Sequence, residues 1–215
     1  MLAGTLAYTV YYGASRGLDT TYNPFFLIYL ALFSASFFAF VLIFTAFGLT
    51  TLPVRISPQF PRGGMAIFMF VAGFGTAFLW LNDAVTALIE KHVPAALGTH
   101  TTVVTYMLDV GIIAPAALLA GILLLRRRPL GYLLSAILTI MLALVGVMVI
   151  GQTIMQYNAG LQFSPGVLIG MVGTWIVMGG IAVWLTVAFF HNLADPVPGF
   201  DITQFSNGCV AVEKH

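Results

Sequence analysis

Asp109 is the residue whose chemistry stands out, because it is a carboxylic acid within the mostly apolar stretch from Thr101 to Leu125. As a helix this stretch would rise about 37 Å, enough to cross a hydrocarbon core of about 30 Å. A carboxylate near the centre of a membrane helix costs about 2.5–3.5 kcal/mol on insertion scales and tends to face protein or water. We therefore expect Asp109 to face neighbouring helices or a cavity rather than lipid.

Threonines at helical spacing accompany this acid. Thr101, Thr105 and Asp109 recur every fourth residue and would share one helix face. Asp109 would lie about 12 Å along the axis from Thr101, short of the membrane midplane. Below Asp109 we expect the same face to continue through smaller or apolar side chains. These are Ile112, Ala116 and Ala120.

Pro115 interrupts the same stretch. Proline has no backbone N–H, so the carbonyl of Gly111 loses its α-helical partner and becomes a free acceptor close to Asp109. A kink is expected there. The sequence thus predicts a polar site beside a break in a membrane helix.

Composition indicates the environment and the fold class in which this stretch lies. The chain is 60% hydrophobic and 7% charged, whereas soluble domains carry about 25% charged residues. Several apolar runs approach or exceed the roughly 20 residues of a transmembrane helix. The sequence therefore predicts an all-α fold, a polytopic transmembrane helical bundle in the lipid bilayer. A net charge of +1 gives no reason to expect a nucleic-acid partner.

About six spans account for the apolar runs. They are expected near residues 2–15, 25–49, 65–83, 101–125, 130–156 and 166–190. Together they would form one bundle over residues 1–192, followed by a polar tail over residues 193–215. The first run is short for a full span. It is either a tilted or thinned helix or the later part of a span in which the sequence begins.

Basic residues predict the orientation of these spans. Placing the consecutive Arg126, Arg127 and Arg128 in the cytoplasm puts six of the eight lysines and arginines there and leaves Arg16 and Lys91 outside. This asymmetry predicts that both termini, and with them the tail, are cytoplasmic. The three arginines are interpreted as a topology anchor that can also contact anionic lipid headgroups.

The helix order brings further polar residues to the outer side, at the ends of the third and fifth spans. We predict an outward-facing pocket that binds or conducts a small solute or ion. Its candidate residues are Asp109, Asp83, Asn82, Gln152, Gln156 and Thr105.

Two alternatives remain for the acids themselves. Asp109 could simply bond a threonine or glutamine across helices, a packing contact of about 1 kcal/mol. Alternatively, Asp83 and Asp109 could be the acid–base pair of an intramembrane enzyme, which requires both carboxyl groups to face one cavity.

The sixth span suggests a different kind of function. Gly166, Gly170 and Thr174 recur every fourth residue, beside Gly173, and small residues in this spacing are typical of close helix contact. A structural or accessory subunit of a membrane complex, or a homo-oligomer, therefore stays open. Such a subunit would expose these small residues on a flat face.

Motifs for metal, cofactor or covalent chemistry are missing from the sequence. Cys209 is the only cysteine, which excludes an intramolecular disulfide and indicates an ordinary free thiol. His92 and His100, beside Glu90, lack i, i+4 spacing and form no HExxH motif. Phosphate-binding loops, nucleophile elbows and dinucleotide-binding motifs are also absent. We predict no metal, no cofactor and no catalytic residue, and enzymatic activity is not favoured.

Four strings of the sequence are similar to those of a known family. They are Tyr22–Phe33, Phe78–Asp83, Leu108–Asp109 and Ala120–Tyr132. In these strings, spread over about the first two-thirds of the chain, the sequence resembles a family of uncharacterised prokaryotic multi-pass integral membrane proteins. The resemblance implies a multi-pass topology in a prokaryotic cell membrane, with additional spans before the stretch matching residues 2–15. It implies no reaction, ligand or catalytic residue.

Overall fold

The computed structural model describes residues 1–18, 25–48, 56–57, 59–92, 104–160, 166 and 168–193. Within these ranges the regular structure is helical, apart from an isolated antiparallel bridge between Ile56 and Leu193. The six long helices are α1 Leu2–Gly17, α2 Phe26–Ala46, α3 Arg62–Glu90, α4 Val104–Leu125, α5 Pro129–Asn158 and α6 Thr174–His191. The predicted all-α bundle is confirmed. Thr101, His100, Cys209 and the tail beyond Leu193 lie outside the described residues.

Five of these helices, α2 to α6, are long and apolar enough to cross a membrane. Helix α1 has 16 residues and would rise only about 24 Å, less than the hydrocarbon core of about 30 Å. The arrangement fits a multi-pass membrane protein. Both interpretations of the short first run remain open.

Exposure of apolar side chains agrees with a lipid environment. In the most apolar window of α2, 6% of the residues are buried inside the protein, and Ser36 is the buried residue of that helix. Large side chains such as Leu27 and Leu42 are about 70% exposed. A helix that is apolar on all sides and uncovered by protein is typical of contact with lipid.

Helix α5 is the central element of the bundle, in contact with α1, α4 and α6. Its buried residues all lie between Gly131 and Gly146, in the half nearest the three arginines. There the largest core cluster contains Met65 and Met69 of α3, together with apolar residues of α4, α5 and α6. The far half of α5 is less tightly covered, which leaves room for a cavity.

A tight turn at the arginines joins α4 to α5. The N–H groups of Arg127 and Arg128 donate to the carbonyls of Leu124 and Leu123 at 3.1 and 2.9 Å, the pair of bonds that closes a Schellman motif. Arg127 takes the left-handed conformation that glycine usually occupies there, with φ of 55°. Pro129 then begins α5, with its fixed φ suited to a first helical position.

The interruption predicted at Pro115 is present as a π-helical turn over Asp109–Ile113. The N–H of Ala114 donates to the carbonyl of Asp109, five residues back. Proline cannot donate to Gly111 and its ring would clash with that carbonyl, and a wider turn just before it relieves both problems. Asp109 is therefore the first residue of a π turn, a geometry frequent at functional sites.

The π turn also breaks the helix face that was expected to run below Asp109. Ile112 is 58% exposed, whereas Ala120 is completely buried. The expectation that Ile112 shares this face was wrong, because it assumed the α-helical period throughout, whereas Ala116 and Ala120 pack in the core as expected.

Candidate functional site

Two neutral donors from different helices hold the Asp109 carboxyl group. The Tyr11 hydroxyl of α1 donates to Oδ1 at 2.8 Å, and the Trp80 indole N–H of α3 donates to Oδ2 at 2.8 Å. Asp109 is half-buried, and no lysine or arginine among the described residues forms an ion pair with it. Hydrogen bonds orient the carboxylate here without neutralising its charge.

These partners differ from those that the packing alternative named. It expected a threonine or a glutamine across helices, whereas the observed donors are a tyrosine and a tryptophan. A sequence signal existed for both, because Tyr11 lies among the tyrosines of the first run and Trp80 lies at the polar end of the third. Which of these residues would reach Asp109 depends on how α1 and α3 pack against α4.

Close helix contacts are made by both helices that carry these donors. Gly13 of α1 meets the backbone of Phe33 in α2, where a Cβ would lie 3.1 Å away. Gly73 of α3 meets α4, where a Cβ would lie 2.9 Å from the Leu118 side chain and 3.0 Å from the carbonyl of Ala114. Without side chains at these positions the helices approach closely, which brings Trp80 within bonding distance of α4.

Asp83 has a separate partner on the same helices. The Tyr106 hydroxyl of α4 donates to Asp83 Oδ2. The Tyr106 ring in turn packs on the Trp80 ring, with centroids 4.7 Å apart. The two acids are therefore linked through a pair of aromatic rings, and Trp80 is fixed both by its hydrogen bond to Asp109 and by this ring contact.

A cavity of about 210 Å³ lies beside Asp109. This is the volume of about seven water molecules and is smaller than the roughly 300–1,000 Å³ of sites for drug-sized ligands. Residues from α1, α3, α4, α5 and α6 line it, and Met141, Leu142 and Val145 are among its apolar side chains. The polar and aromatic lining residues are Tyr11, Thr76, Trp80, Thr105, Asp109, Gln152, Thr153, Gln156 and Trp175.

Four of the six predicted pocket residues line this one cavity: Thr105, Asp109, Gln152 and Gln156. Asp83 and Asn82 are not part of its lining. Asp83 is held by Tyr106, and Asn82 is exposed. Whether the cavity binds a ligand stays a prediction. The lining residues that the sequence did not single out are chiefly Tyr11, Trp80 and Trp175.

The other predicted contacts lie elsewhere. Arg126, Arg127 and Arg128 are exposed at the turn between α4 and α5, and their contact with lipid headgroups stays a prediction. His92 bonds Glu90 at 2.9 Å. Within the described ranges, no three His, Cys, Asp or Glu side chains are grouped so that they could hold a metal ion.

Comparison with known proteins adds no relative. No protein-family model matches the sequence, and the searches of curated proteins and of solved structures give no significant match. The resemblance to the prokaryotic family therefore stays a prediction, and the functional argument depends on the Asp109 cavity.

Proposed function

We propose that this is an integral membrane protein that binds or transports a small solute or ion through the cavity at Asp109. The observation that carries the proposal is a carboxylate on the cavity wall with two neutral donors and no basic partner among the described residues. A charge in a membrane span is costly and is most often retained for function. A cation or proton that enters the cavity would compensate this charge.

The proposed setting is the cell membrane of a prokaryote, with both termini in the cytoplasm and the cavity facing outward. The distribution of basic residues supports this orientation, and the sequence resemblance supports the prokaryotic origin. In this orientation, Gln152 and Gln156 lie near the outer end of α5 and would be the first polar side chains that an entering solute meets.

Substitution of Asp109 by asparagine tests this function. We expect Asp109→Asn to fold but to reduce solute or ion uptake into proteoliposomes at least about tenfold, the effect of losing about 1.4 kcal/mol of binding. Uptake is measured for protons with a trapped pH dye and for Na⁺, K⁺ and alkylammonium ions with radiolabelled tracers.

Glu90→Gln is the matched control, because it removes a carboxylate that is exposed at the end of α3 and lies outside the cavity lining. It should leave uptake unchanged. The proposed function would be contradicted by wild-type uptake in a folded Asp109→Asn protein, or by wild-type protein that neither binds nor transports any of these ions.

A second candidate function is that of an accessory subunit or homo-oligomer, favoured by the small residues that lead into α6. Gly170 lies in the π turn Leu168–Gly173 and is exposed. Gly166 before this turn and Thr174 after it are exposed as well. A Cβ at Gly170 would meet no atom of the described residues within 4 Å. A small residue such as Gly170, without a neighbour among the described residues, leaves room for a helix of another subunit.

We expect Gly170→Ile to weaken self-association if this face forms a homo-oligomer, because the larger side chain would hold two helices apart. The measurement is the oligomeric state in nanodiscs by single-molecule photobleaching. Gly75→Ile is the control, since Gly75 of α3 is also exposed with nothing within 4 Å. A monomeric wild-type protein would argue against the homo-oligomer.

The intramembrane enzyme is the least supported candidate. It requires Asp83 and Asp109 to face one cavity, and only Asp109 belongs to the lining. We assign no catalytic residue.

A further inference from the structure

We propose that the Asp109 cavity selects small protonated primary amines over metal ions and over quaternary ammonium ions. This inference rests on the proposed function and names the class of its ligand. Three features support it. They are the aromatic side chains that line the cavity with the carboxylate, the small number of metal ligands in the lining, and the hydrogen-bond donors that are already used in bonds within the protein.

Aromatic rings from three helices line the cavity together with the acid. They belong to Tyr11 of α1, Trp80 of α3 and Trp175 of α6. Aromatic faces attract organic cations, and tryptophan does so most strongly. A carboxylate among aromatic rings therefore suits a cation that carries apolar substituents.

A metal ion would find few ligands in the same place. Among the described residues of the lining, Asp109 is the only acidic side chain, and none is a histidine or a cysteine. Calcium takes 6–8 oxygen ligands and usually several carboxylates. The cavity volume of about 210 Å³ also corresponds to about seven water molecules, which is far more space than a bare ion occupies.

The hydrogen-bonding groups that line the cavity favour a ligand that donates hydrogen bonds. The hydrogen atoms of the Tyr11 hydroxyl and the Trp80 indole both point to Asp109. The Thr153 hydroxyl donates to the carbonyl of Val149 at 2.8 Å, so its oxygen is left only as an acceptor. Each Asp109 oxygen retains a lone pair beyond the one already bonded.

Tyr11, Trp80, Thr153 and Asp109 therefore offer acceptors and no free donor, while Gln152 and Gln156 each add an amide oxygen and an NH2 group to the lining. A primary ammonium group has three N–H donors on one positive charge, like the lysine side chain. One donor can bond Asp109 while the others bond Thr153 or a glutamine. A quaternary ammonium ion has no N–H and would leave these acceptors unpaired.

Tryptophan fluorescence of the full chain in nanodiscs tests the assignment with propylammonium chloride as the probe. Trp80 and Trp175 line the cavity, whereas Trp184 is 60% exposed on α6 and is not part of the lining. We expect a saturable change in emission that persists in Trp184→Phe. Isothermal titration calorimetry measures the same affinity without a fluorescent reporter.

Asp109→Asn should weaken propylammonium binding at least about tenfold, the effect of a lost charge-assisted hydrogen bond. Thr153→Val keeps the charge and removes one acceptor, and it should weaken binding several-fold even if Asp109→Asn does not fold. Glu90→Gln should bind as the wild type does. Propanol, which is neutral, should not bind measurably.

Tetramethylammonium should bind at least about tenfold more weakly than propylammonium, because it cannot bond the acceptors. Equal or tighter binding of tetramethylammonium would overturn the assignment, as would affinity unchanged in Thr153→Val. Saturable binding of Na⁺ or Ca²⁺ without binding of propylammonium would overturn the amine assignment and leave the proposed function standing. If no cation binds, both fail.

Discussion

Removing both donors of Asp109, in the double variant Tyr11→Phe/Trp80→Phe, is expected to destabilise the bundle by about 3 kcal/mol. A hydrogen bond to a charged group contributes about 1.5–3 kcal/mol, and the double variant loses two such bonds. We place the expected loss near the lower end of their sum because the three residues are only half-buried. The free energy of unfolding is measured by SDS titration in mixed micelles.

Two matched controls separate this effect from the loss of a hydroxyl or an indole as such. Tyr8→Phe changes a tyrosine of the same helix that is not part of the cavity lining, and Trp184→Phe changes a tryptophan that is 60% exposed. In an Asp109→Leu background, the double variant should cost much less, because its hydrogen-bond acceptor is already gone. An equal cost in both backgrounds would show that packing, rather than the bonds to Asp109, explains the loss.

Adding one methyl group at Gly131 is expected to have an effect of similar size. A Cβ there would lie 2.4 Å from the backbone nitrogen of Leu124 and 2.5 Å from the carbonyl carbon of Leu123. These are backbone atoms of the preceding helix, so no side chain can rotate away. Overpacking of this kind costs about 1–3 kcal/mol or more, and we expect Gly131→Ala to reach about 3 kcal/mol. Unfolding in mixed micelles again measures the change.

Gly151→Ala, on the same helix, is not expected to reduce the stability of the protein. No atom in the described part of the chain lies within 4 Å of the position of its Cβ, and alanine is a better helix former than glycine by about 0.5–1 kcal/mol. This variant should therefore be neutral or slightly more stable. If Gly131→Ala behaves like Gly151→Ala, the close approach of α4 to the first turn of α5 would be refuted.

The helices themselves could be predicted from the sequence with good accuracy. A fifth span was expected near residues 130–156, and α5 covers Pro129–Asn158. The prediction succeeds because backbone polar groups in lipid must be satisfied within each segment, which makes long apolar runs helical. The third span was predicted near residues 65–83 with its helix continuing toward Glu90, and α3 extends from Arg62 to Glu90.

The candidate site was predictable only in part. Thr105, Asp109, Gln152 and Gln156 were chosen because they are polar and lie toward the same end of two spans, and they line one cavity. Tyr11 and Trp80 were missed as partners of Asp109. Lateral packing of membrane helices depends on the fit of small residues such as Gly13 and Gly73, and the sequence alone does not say which helices will meet.

The π turn at Asp109–Ile113 has a consequence for the way α4 uses its surface. A turn with i→i+5 bonds holds roughly one residue more than an α-helical turn, which offsets the two arms of the helix by roughly the 100° of one residue. The arm that contains Thr105 can therefore be aimed at the cavity, while the arm that contains Ala117 and Leu124 is buried in the core. The two parts of α4 are thus rotated relative to each other about the helix axis, and deleting a single residue between Asp109 and Ile113 would remove this rotation.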